Sequence, residues 1–260
     1  MKVEDIERDK KANEVKMESF TLGTIICRFT VPEYIIDEIN NDYDNAIGTL
    51  PAHNQNLAGQ IKDEFKVTDI LSQDTKGLFQ SCFRTYLQTI QKQFWHVSLE
   101  TAWINDMKAG EFNPFHFHQS PTCDLGLSSV LFLKVPKSYG KEISREDQPT
   151  NGHLEFVGGN QEPLSISQNR VNGKVGQLYV FPYTMLHGVY PFHGTDEIRR
   201  TMSYNANLYK PAVVQQVTDQ QIKEADKVKE FIVLIIVVLQ FVLLLVDLEL
   251  KQDFIILMEK

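Results

Sequence analysis

The chain has 260 residues, of which 42% are hydrophobic and 23% charged, and its net charge at pH 7 is -8. That length allows one well-cored domain with appendages, and the acidic balance excludes a broadly basic, nucleic-acid-binding face. Three cysteines, Cys27, Cys82 and Cys123, show no CxxC spacing, so they read as reduced thiols of a cytoplasmic protein and exclude a disulfide frame.

Residues 1–16 are charged throughout and lack the apolar run of a secretory signal, which predicts a solvated arm. Residues 20–31, rich in Thr, Ile and Phe, read as an opening strand. Pro32 then starts a helix through PEYIIDEINNDYDNAI, with proline and acids in the first turn where the helix dipole favours them. The segment 57–70 carries a short helical period with a charged face. A stronger helix is expected over 77–94, where Leu78, Phe79, Phe83, Leu87, Ile90 and Phe94 recur at steps of three and four. Residues 17–96 thus predict an α-rich layer packed on whatever sheet follows.

From residue 97 the texture changes. VSLETAWIND, SSVLFLKVP, GHLEFVGG, GQLYVFPYTMLHGVYPF and RRTMSYNANLY are short strand-like runs broken by Gly, Pro, Asn and Asp. Residues 97–210 therefore predict a mostly β core, an antiparallel sandwich or barrel. Two polar loops, 137–151 and 157–175, interrupt it, the second with a turn expected at Asn172-Gly173. In the tail, 211–260, the segment 231–246 is apolar but for Gln240. It is a little short of the roughly 20 residues a membrane helix needs, and extending it draws in Asp247 and Glu249. A membrane contact, a buried pair of strands and a non-native stretch are all open for it.

The chemistry concentrates in NPFHFH. On a strand, His116 and His118 point to one side while Phe115 and Phe117 alternate to the other. His187, delivered by the aromatic run 178–181 at a proline-containing bend, supplies a third imidazole. Three such ligands on one face of an ion leave the other face open, as non-haem Fe(II) requires for oxygen chemistry. His53, His96, His153 and His193 read as structural or solvent-facing, and Cys123 as a small buried filler. In RRTMSYN, alternation places Arg199, Thr201, Ser203 and Asn205 on one face and Arg200, Met202 and Tyr204 on the other. Arg199 and Thr201 would form a fork for a carboxylate; a register slip of one residue would offer Arg200 instead. Trp103, Phe115, Phe117, Phe181 and Tyr183 are candidate dry walls.

The ordered set Trp103-x-Asn105, Gly110, NPFHFH, SSVLFLKVP, GHLEF, GQLYVFP, LHGVYPF and R-x-T-x-S-x-N, over about residues 97–208, resembles the 2-oxoglutarate/Fe(II)-dependent oxygenases. It is most similar to an oxygenase group common in bacteriophage and marine microbial genomes. The resemblance implies a double-stranded β-helix (jelly roll) with iron at one mouth. Fe(II), 2-oxoglutarate and O2 would together oxidise or hydroxylate a substrate, releasing succinate and CO2. Matched position by position, His116, His118 and His187 become the metal ligands and Arg199, with Thr201, the co-substrate anchor. The usual proximal motif of that superfamily is His-x-Asp or His-x-Glu, whereas this chain has His118; Asp124 is the other candidate for the third ligand. Two rival classes stand beside this one: a three-histidine cupin-like dioxygenase or isomerase that needs no 2-oxoglutarate, and a metal-free jelly-roll binding protein.

Overall fold

The computed structural model of the chain describes residues 23–54, 59–142, 144–159 and 166–211, together with Lys229. The arm 1–16, residues 160–165 of the second polar loop and the apolar segment 231–246 lie outside the described residues. The chain divides into two units, Met1–Pro211 and Ala212–Lys260. In the first, the elements run β1 (Cys27–Thr30), α1 (Glu33–Ala46), β2 (Glu64–Lys66), α2 (Gln73–Thr89), β3 (His96–Met107), β4 (Asn113–His116), β5 (Gly126–Lys134), β6 (Leu154–Val157), β7 (Gln168–Val171), β8 (Gln177–Pro182), β9 (Leu186–Val189) and β10 (Arg199–Tyr209). No helix among the described residues is long and apolar enough to cross a membrane.

Two antiparallel sheets face each other. One has six strands in the order β1-β8-β5-β10-β3-β2 and the other four, β4-β9-β6-β7. From β3 onward the chain crosses repeatedly between the sheets, giving β8-β5-β10-β3 opposite β4-β9-β6-β7. That is the double Greek key of a jelly roll, with β1 and β2 added at the two edges of the larger sheet. The mostly β, double-stranded β-helix expectation holds.

The helices cover the outer face of the larger sheet. α1 buries Ile35, Ile36, Ile39 and Tyr43, a stripe at helical spacing, and α2 buries Phe79, Phe83, Tyr86 and Leu87. These side chains meet Ile104, Leu131, Leu178, Val180, Met202 and Tyr204 from the sheet in one apolar cluster. A second cluster, with Val130, Phe132, Leu154, Phe156 and Phe181, lies between the sheets. Because β5 and β8 are covered on both sides, they read as near-continuous apolar runs.

Three sequence expectations are corrected. α2 begins at Gln73, not near residue 77, because Ser72 caps it by accepting from the Thr75 backbone N–H at 3.0 Å; it ends at Thr89, leaving Phe94 79% exposed. Within 57–70 the structure has the strand β2, with no helix among the described residues. Its three residues pair with Asn105, Ile104 and Trp103 of β3, and a strand that short leaves no period to detect. The turn expected at Asn172-Gly173 falls later: Gln177 N–H donates to Lys174 O at 3.0 Å, and Gly176 has the positive φ of 83°. Gly173 serves close packing instead, since a Cβ there would stand 2.1 Å from the Phe132 ring.

Candidate metal centre and co-substrate pocket

The pairing of β4 with β9 places His116 directly opposite His187, with ring centroids 4.3 Å apart. That approach needs Gly188: a Cβ there would lie 3.1 Å from the Asn113 carbonyl oxygen and the Phe115 nitrogen. His118 sits just beyond the end of β4, held by its backbone N–H donating to Tyr183 O at 2.9 Å. The strand is thus shorter than the His-x-His reading supposes, yet the third ring still turns inward, stacked on His187 with centroids 5.0 Å apart.

The three histidines each offer a ligand nitrogen within 4.8 Å of the others. The Nε2 atoms of His118 and His187 are 3.2 Å apart. Two nitrogens about 2.1 Å from one ion and at right angles to each other stand ~3 Å apart, so this separation fits shared coordination. His116 Nδ1–H donates to Pro114 O at 2.8 Å and His187 Nδ1–H donates to Met185 O at 2.9 Å. Those two bonds fix both tautomers and leave both Nε2 lone pairs facing the cavity. At His118 the ring Nδ1 meets the Asn205 side-chain amide at 3.5 Å.

Electrostatics favour neutral rings. Burial pushes His187 down to about 3, with His116 adding to the effect, and holds His118 well below the usual imidazole value, helped by His187 and His116. His116 is lowered by burial too, against the Pro114 carbonyl. Uncharged imidazoles are the form that ligates a metal. Asp124, the other candidate third ligand, is exposed and outside the cluster. Cys123 donates to the Leu125 and Leu208 carbonyls instead.

The same cavity is lined by Arg199, Thr201, Ser203, Asn105 and Asn113. Arg199 is 2% exposed, and among the described residues its Nε and Nη2 have no hydrogen-bond partner. It lies over the Phe132 ring at 4.8 Å, and beside Tyr139, whose buried hydroxyl also lacks a formed hydrogen bond. Burial lowers the Arg199 pKa from the ordinary arginine value, and Tyr139 opposes that. An unpaired guanidinium with donors aimed into a cavity is built for an anion. Arg200 is the reverse case. It forks onto Asp106 at 2.6 and 2.8 Å and reaches Asp44 at 2.7 Å and Asn40 at 3.1 Å. The alternation read from the sequence therefore holds, and the register that would exchange the two arginines does not occur.

Of the candidate walls, Trp103 lines the cavity with its ring tilted against His118 at 5.8 Å, while Phe181 meets the His187 ring edge at 4.7 Å. Tyr183 is buried, donating to Asn207 Oδ1 at 3.2 Å. Phe115 and Phe117 are 44% and 52% exposed, because turning His116 and His118 inward sends them to solvent. They are not walls. Sequence reasoning missed Tyr139, which sits in an aperiodic loop with nothing around it to mark it. It also missed that Asn105 and Asn113 reach the cavity, although both lie in strand segments whose alternation could have found them.

A face of three imidazoles and a free arginine in one cavity suit a metal and a bound anion together. Residues 101–205 match the family described as "Putative 2OG-Fe(II) oxygenase". This segment belongs to the 2OG-Fe(II) oxygenases. Members of that family are oxidoreductases that use Fe(II), 2-oxoglutarate and O2. No curated protein sequence matches it. Among solved structures, a prolyl-4-hydroxylase of Pseudomonas putida is similar at 13% identity and TM-score 0.46, covering 72% of this chain and 93% of its own. A viral collagen prolyl hydroxylase of Paramecium Bursaria Chlorella virus-1 is similar at 11% identity and TM-score 0.45, with 72% and 96% covered. A prolyl hydroxylase from Trichoplax adhaerens is similar at 10% identity and TM-score 0.46, with 70% and 83% covered.

Proposed function

We propose that His116, His118 and His187 hold the Fe(II) of this oxygenase, and that Arg199, with Thr201 beside it, anchors the far carboxylate of 2-oxoglutarate. The observation that carries this reading is the fully buried Arg199, unpaired at Nε and Nη2, in the same cavity as the imidazole face. A cupin-like enzyme working without 2-oxoglutarate would have no use for that orphaned cation. The bound group supplies oxygen activation: 2-oxoglutarate and O2 are converted to succinate and CO2 as one oxygen atom enters a substrate C–H bond.

The chain's own residues do the rest. Pro114 O and Met185 O orient two rings by accepting their Nδ1–H groups, so the nitrogens facing the ion carry lone pairs. Arg199 supplies a charged donor pair whose geometry matches a carboxylate, and its burial strengthens that attraction. The Tyr139 hydroxyl has a free donor at the same place. Trp103 and Phe181 keep water from the flank of the imidazole face. The net charge of -8 supports a substrate other than nucleic acid, and three unpaired cysteines support a reducing, cytoplasmic setting.

Anaerobic addition of Fe(II) and then 2-oxoglutarate should raise a visible charge-transfer band. His187→Ala should abolish it, and a wild-type protein with no band would end the assignment.

A further inference from the structure

His118 stands where the wider superfamily has a carboxylate, and an imidazole there raises a problem a carboxylate does not have. It must carry its single proton on Nδ1 for Nε2 to bind a metal. His116 and His187 meet this need with backbone carbonyls, fixed acceptors 2.8 and 2.9 Å from their Nδ1 atoms. Among the described residues His118 has no such carbonyl, and its Nδ1 faces the Asn205 amide, at 3.5 Å.

The hydrogen bonds around His118 form a chain with one consistent assignment of protons. His187 spends its N–H on Met185 O, so its Nε2 can only accept. His118 Nε2, 3.2 Å away, must then be the donor. Its Nδ1 must in turn accept, and Asn205 presents Nδ2 to it. This leaves Asn205 Oδ1 buried with no partner at all. With a metal in place the assignment inverts. All three Nε2 atoms need lone pairs, so the His118 proton belongs on Nδ1, and the group facing it must be an acceptor. Rotating the Asn205 amide by half a turn brings Oδ1 to that position as the acceptor, while Nδ2 takes the place that Oδ1 leaves.

We infer that Asn205 is the positioning residue for the third ligand, its amide turning over as His118 exchanges tautomer on metal binding. The inference rests on the three-histidine reading of the site. Proton count is unchanged: Nε2 releases one proton to solvent and Nδ1 takes one up. Asn205 is on β10 with Arg199, Thr201 and Ser203, three residues that line the cavity, so one strand would serve both ends of the bound pair.

The test uses the full chain and Co(II) as the metal. In the proton NMR spectrum of the loaded protein, each ligating imidazole whose Nδ1–H is held by an acceptor gives a strongly shifted, exchangeable resonance. Wild type should show three. Asn205→Leu should show two, with Co(II) bound about 10- to 100-fold more weakly, the usual effect of losing a ligand's outer partner. Asn205→Asp, an acceptor in either orientation, should keep three resonances and wild-type affinity or better. In a His118→Asp background, Asn205→Leu should leave Co(II) affinity unchanged, because no imidazole remains to be oriented.

Three resonances in Asn205→Leu would overturn the inference, as would equal weakening by Leu and Asp, or an equal loss in the His118→Asp background. Wild type that fails to bind Co(II), or binds it as well after His187→Ala, would instead overturn the three-histidine site itself. Should Asn205→Leu not fold, the Asn205→Asp comparison decides alone: weaker Co(II) binding or a lost resonance refutes the inference, and retention of both supports it.

Discussion

The two faces of β10 differ in kind. On the outer face, under the helices, Arg200 is matched by Asp106 and Asp44, its guanidinium rests 4.5 Å over the Tyr43 ring, and Met202 and Tyr204 fill the apolar cluster. On the inner face Arg199 and Asn205 carry buried polar atoms with no partner. Neighbouring arginines, both about 97–98% buried, thus stand at opposite ends of a scale. A face that only stabilises has its charges paired within the chain. A face that binds keeps donors unpaired until the ligand arrives, and bears the cost of burying them meanwhile.

Breaking the paired face should have the largest effect. Arg200→Ala strands Asp106, only 8% exposed, and releases Asp44 of α1, so it should cost about 3–5 kcal/mol of stability in chemical denaturation. Arg199→Met should do the opposite. Removing an unpaired buried cation should leave stability unchanged or raised, while the 2-oxoglutarate needed for half-maximal charge-transfer absorbance rises about 100-fold, ~2.7 kcal/mol. A large stability loss from Arg199→Met, with 2-oxoglutarate binding intact, would reverse the contrast between the two faces.

How much of this is legible in the sequence follows from the reach of a local pattern. Alternation in RRTMSYN separates the arginine faces correctly, since β10 is long and its register against β3 is unbroken from Arg199 to Tyr204. The His-x-His spacing gives two ligands, and the aromatic run before His187 marks the third. Length limits the rest. The three residues of β2 carry no period, so Glu64 is invisible as a buried strand residue. Tyr139 comes from a loop whose shape depends on Glu142 accepting the Thr150 and Asn151 backbone N–H groups at 2.9 and 3.1 Å, contacts that no local pattern encodes. The unpartnered oxygen of Asn205 is likewise a property of three-dimensional surroundings. Orphaned atoms leave no trace in a sequence.

Glu64 extends the contrast to the next strands. It lies opposite Asn105 on β3, is fully buried, and neither carboxylate oxygen has a partner. Burial, aided by Glu111, lifts its pKa from 4.5 to about 7. The folded state therefore binds more protons than the unfolded chain between those values, and stability should fall as pH rises through that window and level off above 7. Glu64→Gln should remove the slope. The variant should match wild type near pH 4.5 and exceed it by ~3 kcal/mol at pH 8, in urea denaturation across that range. Parallel curves for the two proteins would show that this carboxylate is ionised and satisfied in the fold.

The smallest effect should come from Tyr139→Phe, and it sharpens the comparison most. The hydroxyl makes no hydrogen bond among the described residues, so its removal should leave the melting temperature unchanged. If it is held ready for the same carboxylate as Arg199, its loss should weaken 2-oxoglutarate binding about tenfold, ~1.4 kcal/mol, near the lower end for a hydrogen bond to a charged group. Arg199→Met should absorb most of that effect, because the carboxylate would no longer be drawn to the place where the hydroxyl points. Full additivity of the two substitutions in a titration would put Tyr139 outside the anion site, and would leave Arg199 as its sole charged anchor.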